Sequence, residues 1–185
     1  MTTREELRTI ALAEFAAAGY GATSLQRIAE LAGVSKSSVL YHFDSKEHLL
    51  EAAIGPAIDR MRVVLAPLEV VGIGDRRAFL EAFVDFLLEY RLEVNMFINQ
   101  GPSLVDVPVI ERANEMVRQL AEFFAVNSDS LEEKMRFGIA LGGAAYMLCS
   151  VQTFDLAQAE SIGETRAALV TILNDLLNPV TTTLG

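Results

Sequence analysis

Residues 23–46 read TSLQRIAELAGVSKSSVLYHFDSK: two short helical stretches joined by AGVS, then the start of a third. Thr23 offers a hydroxyl to cap the first stretch, and Gln26, three residues on, supplies the other half of a capping box. Ile28, Ala29 and Ala32 recur on one face at helical spacing, and Ala29 is small enough to let two helices cross closely. Gly33 ends the helix, Val34 plugs the turn, and Ser35 caps a second helix from Lys36 to about Tyr41. There Val39 points inward, leaving Lys36, Ser37, Ser38 and Tyr41 on the outer face. This geometry suits the major groove of double-stranded DNA. A helix of ~10 Å, at 1.5 Å per residue, would read few base pairs per copy. Lys36, Ser37 and Ser38 can reach base edges or phosphates, and Tyr41 can pack on a thymine methyl or a sugar. His42 and Lys46 are placed to grip the backbone, and Phe43 is core. A helical hairpin that does not bind DNA would keep the same caps and turn, so Thr23 and Ser35 are caps first and DNA ligands second.

Working outward, an amphipathic helix from about Glu5 to Ala18 braces this pair and stops at Gly19. Asp44 and Ser45 with Glu47 start a long helix that Gly55-Pro56 should interrupt, as pivot or fixed bend, and that should finish before Pro67. After the loop VVGIGD (70–75), helices are expected over Arg76–Arg91 and Leu92–Asn99, broken at Gly101-Pro102. Others follow over Pro108–Ala125, from a Ser130/Glu133 capping box to about Phe154, and over Ile162–Leu177 before Asn178-Pro179. Nothing reads as a strand or a repeat. The fold class is therefore all-α with about nine helices: a three-helix head over residues 1–47 and a helical body over 48–185.

The ordered set GY at Gly19 and Tyr20, TS at Thr23 and Ser24, IAELAGVS from Ile28 to Ser35, and HFDSKEHL from His42 to Leu49 resembles the tetracycline-repressor (TetR) family. The resemblance is dense over the first 50 residues. It implies the helix-turn-helix of a homodimeric DNA-binding regulator, with Thr23, Ser24, Lys36, Ser37, Ser38, Tyr41, His42 and Lys46 at positions that commonly contact DNA. It implies too that the last two long helices form a four-helix dimer interface and that the middle helices enclose a ligand cavity. One position departs: many members carry tyrosine where this chain has Leu40, which is expected to be packed.

The charge pattern is unusual for such a role. The formal net charge is −10, and residues 1–50 hold five basic and six acidic side chains. Affinity must come from a few placed cations and from two-fold repetition. The acidic body either repels DNA at long range, holding the heads down, or simply keeps the protein soluble.

In the body, GIALGGAA (138–145) offers small residues that permit close helix approach, either between subunits or inside one. Phe83, Phe86, Met96, Phe97, Asn99, Met116, Tyr146 and Met147 are candidate walls of a pocket for a small apolar or aromatic ligand. Asn95, Gln100 and Gln152 are available to orient a polar group there, and Arg91 to meet an anion; at each such position plain core is the competing reading. Both histidines, His42 and His48, precede Gly55, so the body has no His-based triad and no zinc site of the usual ligands. An enzyme, a metal and a cofactor are not expected. The lone Cys149 excludes an internal disulfide and reads as a small buried residue before a redox sensor. The charged, amphipathic N-terminus is unlike a signal peptide. The 18 uncharged residues from Phe137 to Phe154 are too rich in glycine and polar groups for a membrane span, so a cytoplasmic location is expected. The resulting expectation is a ligand-responsive repressor on a palindromic operator. The alternative is a DNA-bound adaptor of the same fold without an inducer.

Overall fold

The computed structural model describes residues 3–71, 76–149 and 161–177, and all regular structure among them is helical. The elements are α1 (Arg4–Ala18), α2 (Leu25–Leu31), α3 (Lys36–His42), α4 (Lys46–Val71), α5 (Arg76–Glu89), α6 (Arg91–Gln100), α7 (Pro108–Val126), α8 (Leu131–Cys149) and α9 (Ile162–Leu177). A 3-10 turn, Gly101–Ser103, follows α6 where Gly101-Pro102 was expected to break the chain. The all-α expectation thus holds, with nine α-helices among the described residues. Residues 72–75 of the expected loop, the helical extension from Ser150 to Phe154 with Gln152, and the Asn178-Pro179 stop lie outside them.

Two local expectations are corrected. Thr23 is not the cap of α2: only 2% exposed, its hydroxyl donates to the Gly19 carbonyl at 2.8 Å, while the Ser24 hydroxyl accepts from Arg27 N–H at 3.1 Å. Adjacent hydroxyls compete for the role, and burial takes Thr23 out of reach of the helix end. Nor do the prolines divide the fourth helix, since α4 runs through both Pro56 and Pro67. Each proline lies on the solvent side, where a helical carbonyl that loses its donor can turn toward water.

The chain forms two compact units. The first comprises residues 1–60 and 90–115. Here α1 opens on a capping box between Thr3 and Glu6 and buries Leu7, Ala11, Leu12 and Phe15, packing on α2 and α6. Ile28 of α2, Val39 of α3 and Met96 of α6 are wholly buried, each burial being worth about 1.5–3 kcal/mol. Arg27 pairs with Glu14 at 3.1 Å, and Arg112 at the start of α7 pairs with Glu51 of α4 at 2.5 Å.

The second unit comprises residues 61–89 and 116–185. Phe79 stacks on Phe83 and tilts against Phe124, which stacks on Phe137 at 4.0 Å, so aromatic rings join α5, α7 and α8. Arg166 of α9 holds Asp85 of α5 through two contacts of 2.5 and 2.9 Å. Arg76 and Arg136 donate to the carbonyls of Leu177 and Leu176, bringing positive charge to the negative end of the α9 dipole.

Candidate nucleic-acid interface

The two short helices are joined by a turn whose hydrogen bonds explain the AGVS sequence. Val34 N–H donates to the Ala29 carbonyl at 2.9 Å and Gly33 N–H to that of Glu30 at 3.1 Å, with Gly33 at φ +66°. This is the Schellman closure, in which glycine occupies the left-handed position without a Cβ penalty. The Ser35 hydroxyl then accepts from Ser38 N–H at 3.1 Å and starts α3 as expected. Ser35 and Ser38 hydroxyls also meet each other at 3.0 Å, so the Ser38 side chain is drawn into the cap.

Val39 and Phe43 anchor α3 in the core. The exposed residues are Lys36, Ser37, Leu40 and Tyr41, Tyr41 at 85%. Leu40 is 39% exposed, contrary to the expectation that it is packed. The reason is angular: Val39 and Phe43 fix the inward side, and the residue after Val39 is turned about 100° from it. Lys36 and Leu40, then Ser37 and Tyr41, follow each other one turn apart.

The cations of the head are largely engaged. Arg8 pairs with Glu5 and Arg27 with Glu14, and the Arg4 guanidinium lies 4.8 Å over the Phe43 ring. The Lys46 ammonium sits 4.1 Å above the Tyr20 ring, and burial there holds its pKa below the usual lysine value, opposed by the Glu47 carboxylate. Burial, then the Glu47 charge, pushes the Tyr20 hydroxyl up to about 12. Lys36 is exposed. His42 stacks edge-on against Tyr41 at 5.3 Å. Of the expected contact residues, Ser24, Lys36, Ser37, Tyr41 and Ser35 are thus at the surface; Thr23 is interior, and Ser38, His42 and Lys46 are partly engaged.

The elbow between α1 and α2 is locked by Gln100, the last residue of α6. Its Oε1 accepts from Tyr20 N–H at 2.5 Å and its Nε2 donates to the Phe15 carbonyl at 2.6 Å. By sequence alone Gln100 groups instead with the residues that could orient a polar group in a pocket. The other pocket candidates divide between the units. Met96 is buried while Phe97 is half-buried and Asn99 exposed in the first; in the second, Phe83 and Phe86 are buried, Met116 half-buried, and Tyr146 and Met147 exposed. An open, apolar groove between α8 and α9 is lined by Met147, Leu148, Glu164, Thr165, Ala168, Leu169 and Ile172, so Met147 alone of the candidates reaches it. Among the described residues no three His, Cys, Asp or Glu side chains cluster as metal ligands, and no helix is long and apolar enough to cross a membrane.

Residues 8–53 match the family described as bacterial regulatory proteins, tetR family. The HTH-type transcriptional regulator RutR of Escherichia coli K12 is 34% identical over 122 residues, 63% of this chain and 52% of RutR. The HTH-type transcriptional repressor KstR2 of Rhodococcus jostii is 37% identical over 81 residues, 44% of this chain and 39% of that protein. The chain thus spans about half or less of the length of these curated relatives. In fold it resembles SCO3833, a TetR-family member from Streptomyces coelicolor, with TM-score 0.71 at 20% identity over 92% of this chain and 88% of that one. The match to the tetR family of bacterial regulatory proteins covers the helix-turn-helix and the first turns of α4.

Proposed function

We infer that the protein is a transcriptional repressor that binds a near-palindromic operator as a homodimer in the cytoplasm and leaves it when a small apolar or aromatic ligand binds. The observation that carries this reading is the exposed α3 face, held by a capped turn on one side and by Val39 and Phe43 on the other. Ser24 at the surface and Lys46, if it leaves the Tyr20 ring, supply backbone contacts. Dimerisation through α8 and α9 is supported by a face of Met135, Ile139, Tyr146, Met147 and Ile172, all exposed. Gly138, Gly142 and Gly143 on α8 are exposed as well, with nothing within 4 Å of where a Cβ would lie. That favours contact between subunits over packing inside one. The aromatic and methionine side chains of the second unit suit an apolar ligand.

Selection of bound sequences from random duplex DNA tests the reading, with two related half-sites about one helical turn apart as the expected product. Lys36→Ala should weaken binding on every sequence and lower the salt slope by about 1 for each copy. Lys36→Ala combined with Tyr41→Ala should abolish specific binding while the helical signal persists. Specific binding that survives the double change refutes this reading face. Candidate ligands added to the same operator complex should release it, and a complex that no apolar ligand weakens would leave the adaptor role standing instead.

A further inference from the structure

We propose that Leu40 is a sequence-determining residue of the DNA interface and reads a thymine through the C5-methyl group. The inference rests on α3 being the DNA-reading helix. Three observations lead to it. Leu40 is 39% exposed although it sits between the buried Val39 and the anchor Phe43, so the fold leaves an aliphatic side chain on the outer face. It lies one turn beyond Lys36 and beside Tyr41, hence within the same strip as the polar residues that would meet base edges. The Ser38 hydroxyl, the next polar candidate on the helix, already shares a hydrogen bond with that of Ser35.

Beside Lys36, Ser37 and Tyr41, the outer face therefore offers the bases one aliphatic side chain. In the major groove the one apolar feature that distinguishes a base pair is the methyl of thymine. The head is also short of unengaged positive charge, since Arg8 and Arg27 are paired and Arg4 and Lys46 lie over aromatic rings. Burial of a methyl against Leu40 supplies affinity without a cation. It also sets a preference that phosphate contacts do not.

The experiment replaces each thymine of a selected operator, one position at a time, by deoxyuridine, which differs only in lacking that methyl. The wild-type protein should lose about fourfold in affinity for each half-site at one position, the worth of one buried methyl group. Leu40→Ala should bind thymine and uracil operators equally at that position, Leu40→Met should keep the difference, and Ser37→Ala should leave it unchanged. Helical signal and dimer mass check that each variant is folded. A uracil effect that persists in Leu40→Ala and disappears in Tyr41→Ala assigns the methyl to Tyr41 and overturns the proposal. Uniform tolerance of uracil in the wild type overturns it too. Failure to recover any operator removes the DNA-reading role itself, and Leu40 with it.

Discussion

Gln100 does with one side chain what the elbow between α1 and α2 needs twice. The carboxamide accepts from Tyr20 N–H and donates to the Phe15 carbonyl in a single orientation, a pairing of which neither a carboxylate nor an ammonium is capable. Phe15 also receives Gly19 N–H at 3.1 Å, so its carbonyl keeps a partner without Gln100. Gln100→Ala should therefore cost about 1–3 kcal/mol in urea unfolding, chiefly through the Tyr20 amide, and speed hydrogen exchange at that amide. Gln100→Glu restores an acceptor but sets negative charge against the Phe15 carbonyl, so it should recover little. Unchanged stability in both variants would mean that water replaces the side chain. This role was not legible in the sequence, where the neighbouring Gly101-Pro102 marks the end of a helix but nothing local points to partners 80 and 85 residues upstream. Leu40, by contrast, was within reach: with Val39 inward, a helical wheel turns its neighbour outward.

At the level of the helices, local chemistry located most elements. The Ser35 cap, the Gly33 stop and the bounds of α9 follow from side-chain type and spacing alone. What sequence left ambiguous was decided by burial. TS at 23–24 presents two equivalent hydroxyls until Thr23 is enclosed and Ser24 is left to cap α2. Similarly, the breaking power of Pro56 and Pro67 depends on whether the orphaned carbonyl meets solvent or core. The turn itself carries a prediction. A Cβ at Gly33 would touch nothing, yet φ is +66°, so Gly33→Ala should destabilise by about 1 kcal/mol through backbone strain alone. Equilibrium unfolding measures this, and Gly33→Asn should cost less than alanine; identical costs would argue against a conformational origin.

For the whole molecule, the proposed pairing rests on the exposed apolar strip of α8 and α9, which must outweigh the mutual repulsion of two chains of charge −10. Gly142 offers a clean test of pairing. It is exposed with open space around a prospective Cβ, and a bulkier residue improves helix propensity by up to about 1 kcal/mol. Gly142→Leu should thus leave the subunit folded while lowering the dimer fraction in sedimentation. An unchanged dimer mass with normal melting would place the interface elsewhere. The class of fold and the helix-turn-helix were legible because they depend on short-range signals. The partition of the pocket candidates was not, because periodicity marks Phe83 and Met96 alike as inward without saying into which of two cores.

The first unit is not a continuous length of chain: residues 1–60 are completed by 90–115. During synthesis the apolar face of α1 that α6 covers must wait for that return segment. At roughly 5–20 residues per second, the 55 residues between Arg60 and Glu115 take about 3 to 11 s. The helix-turn-helix emerges from the ribosome before α6 does, so its elbow is fastened only once Gln100 has been made. A nascent chain therefore carries the two short helices well before it carries the side chain that holds them, and a premature stop in α4 or α5 would release a fragment lacking its own clasp.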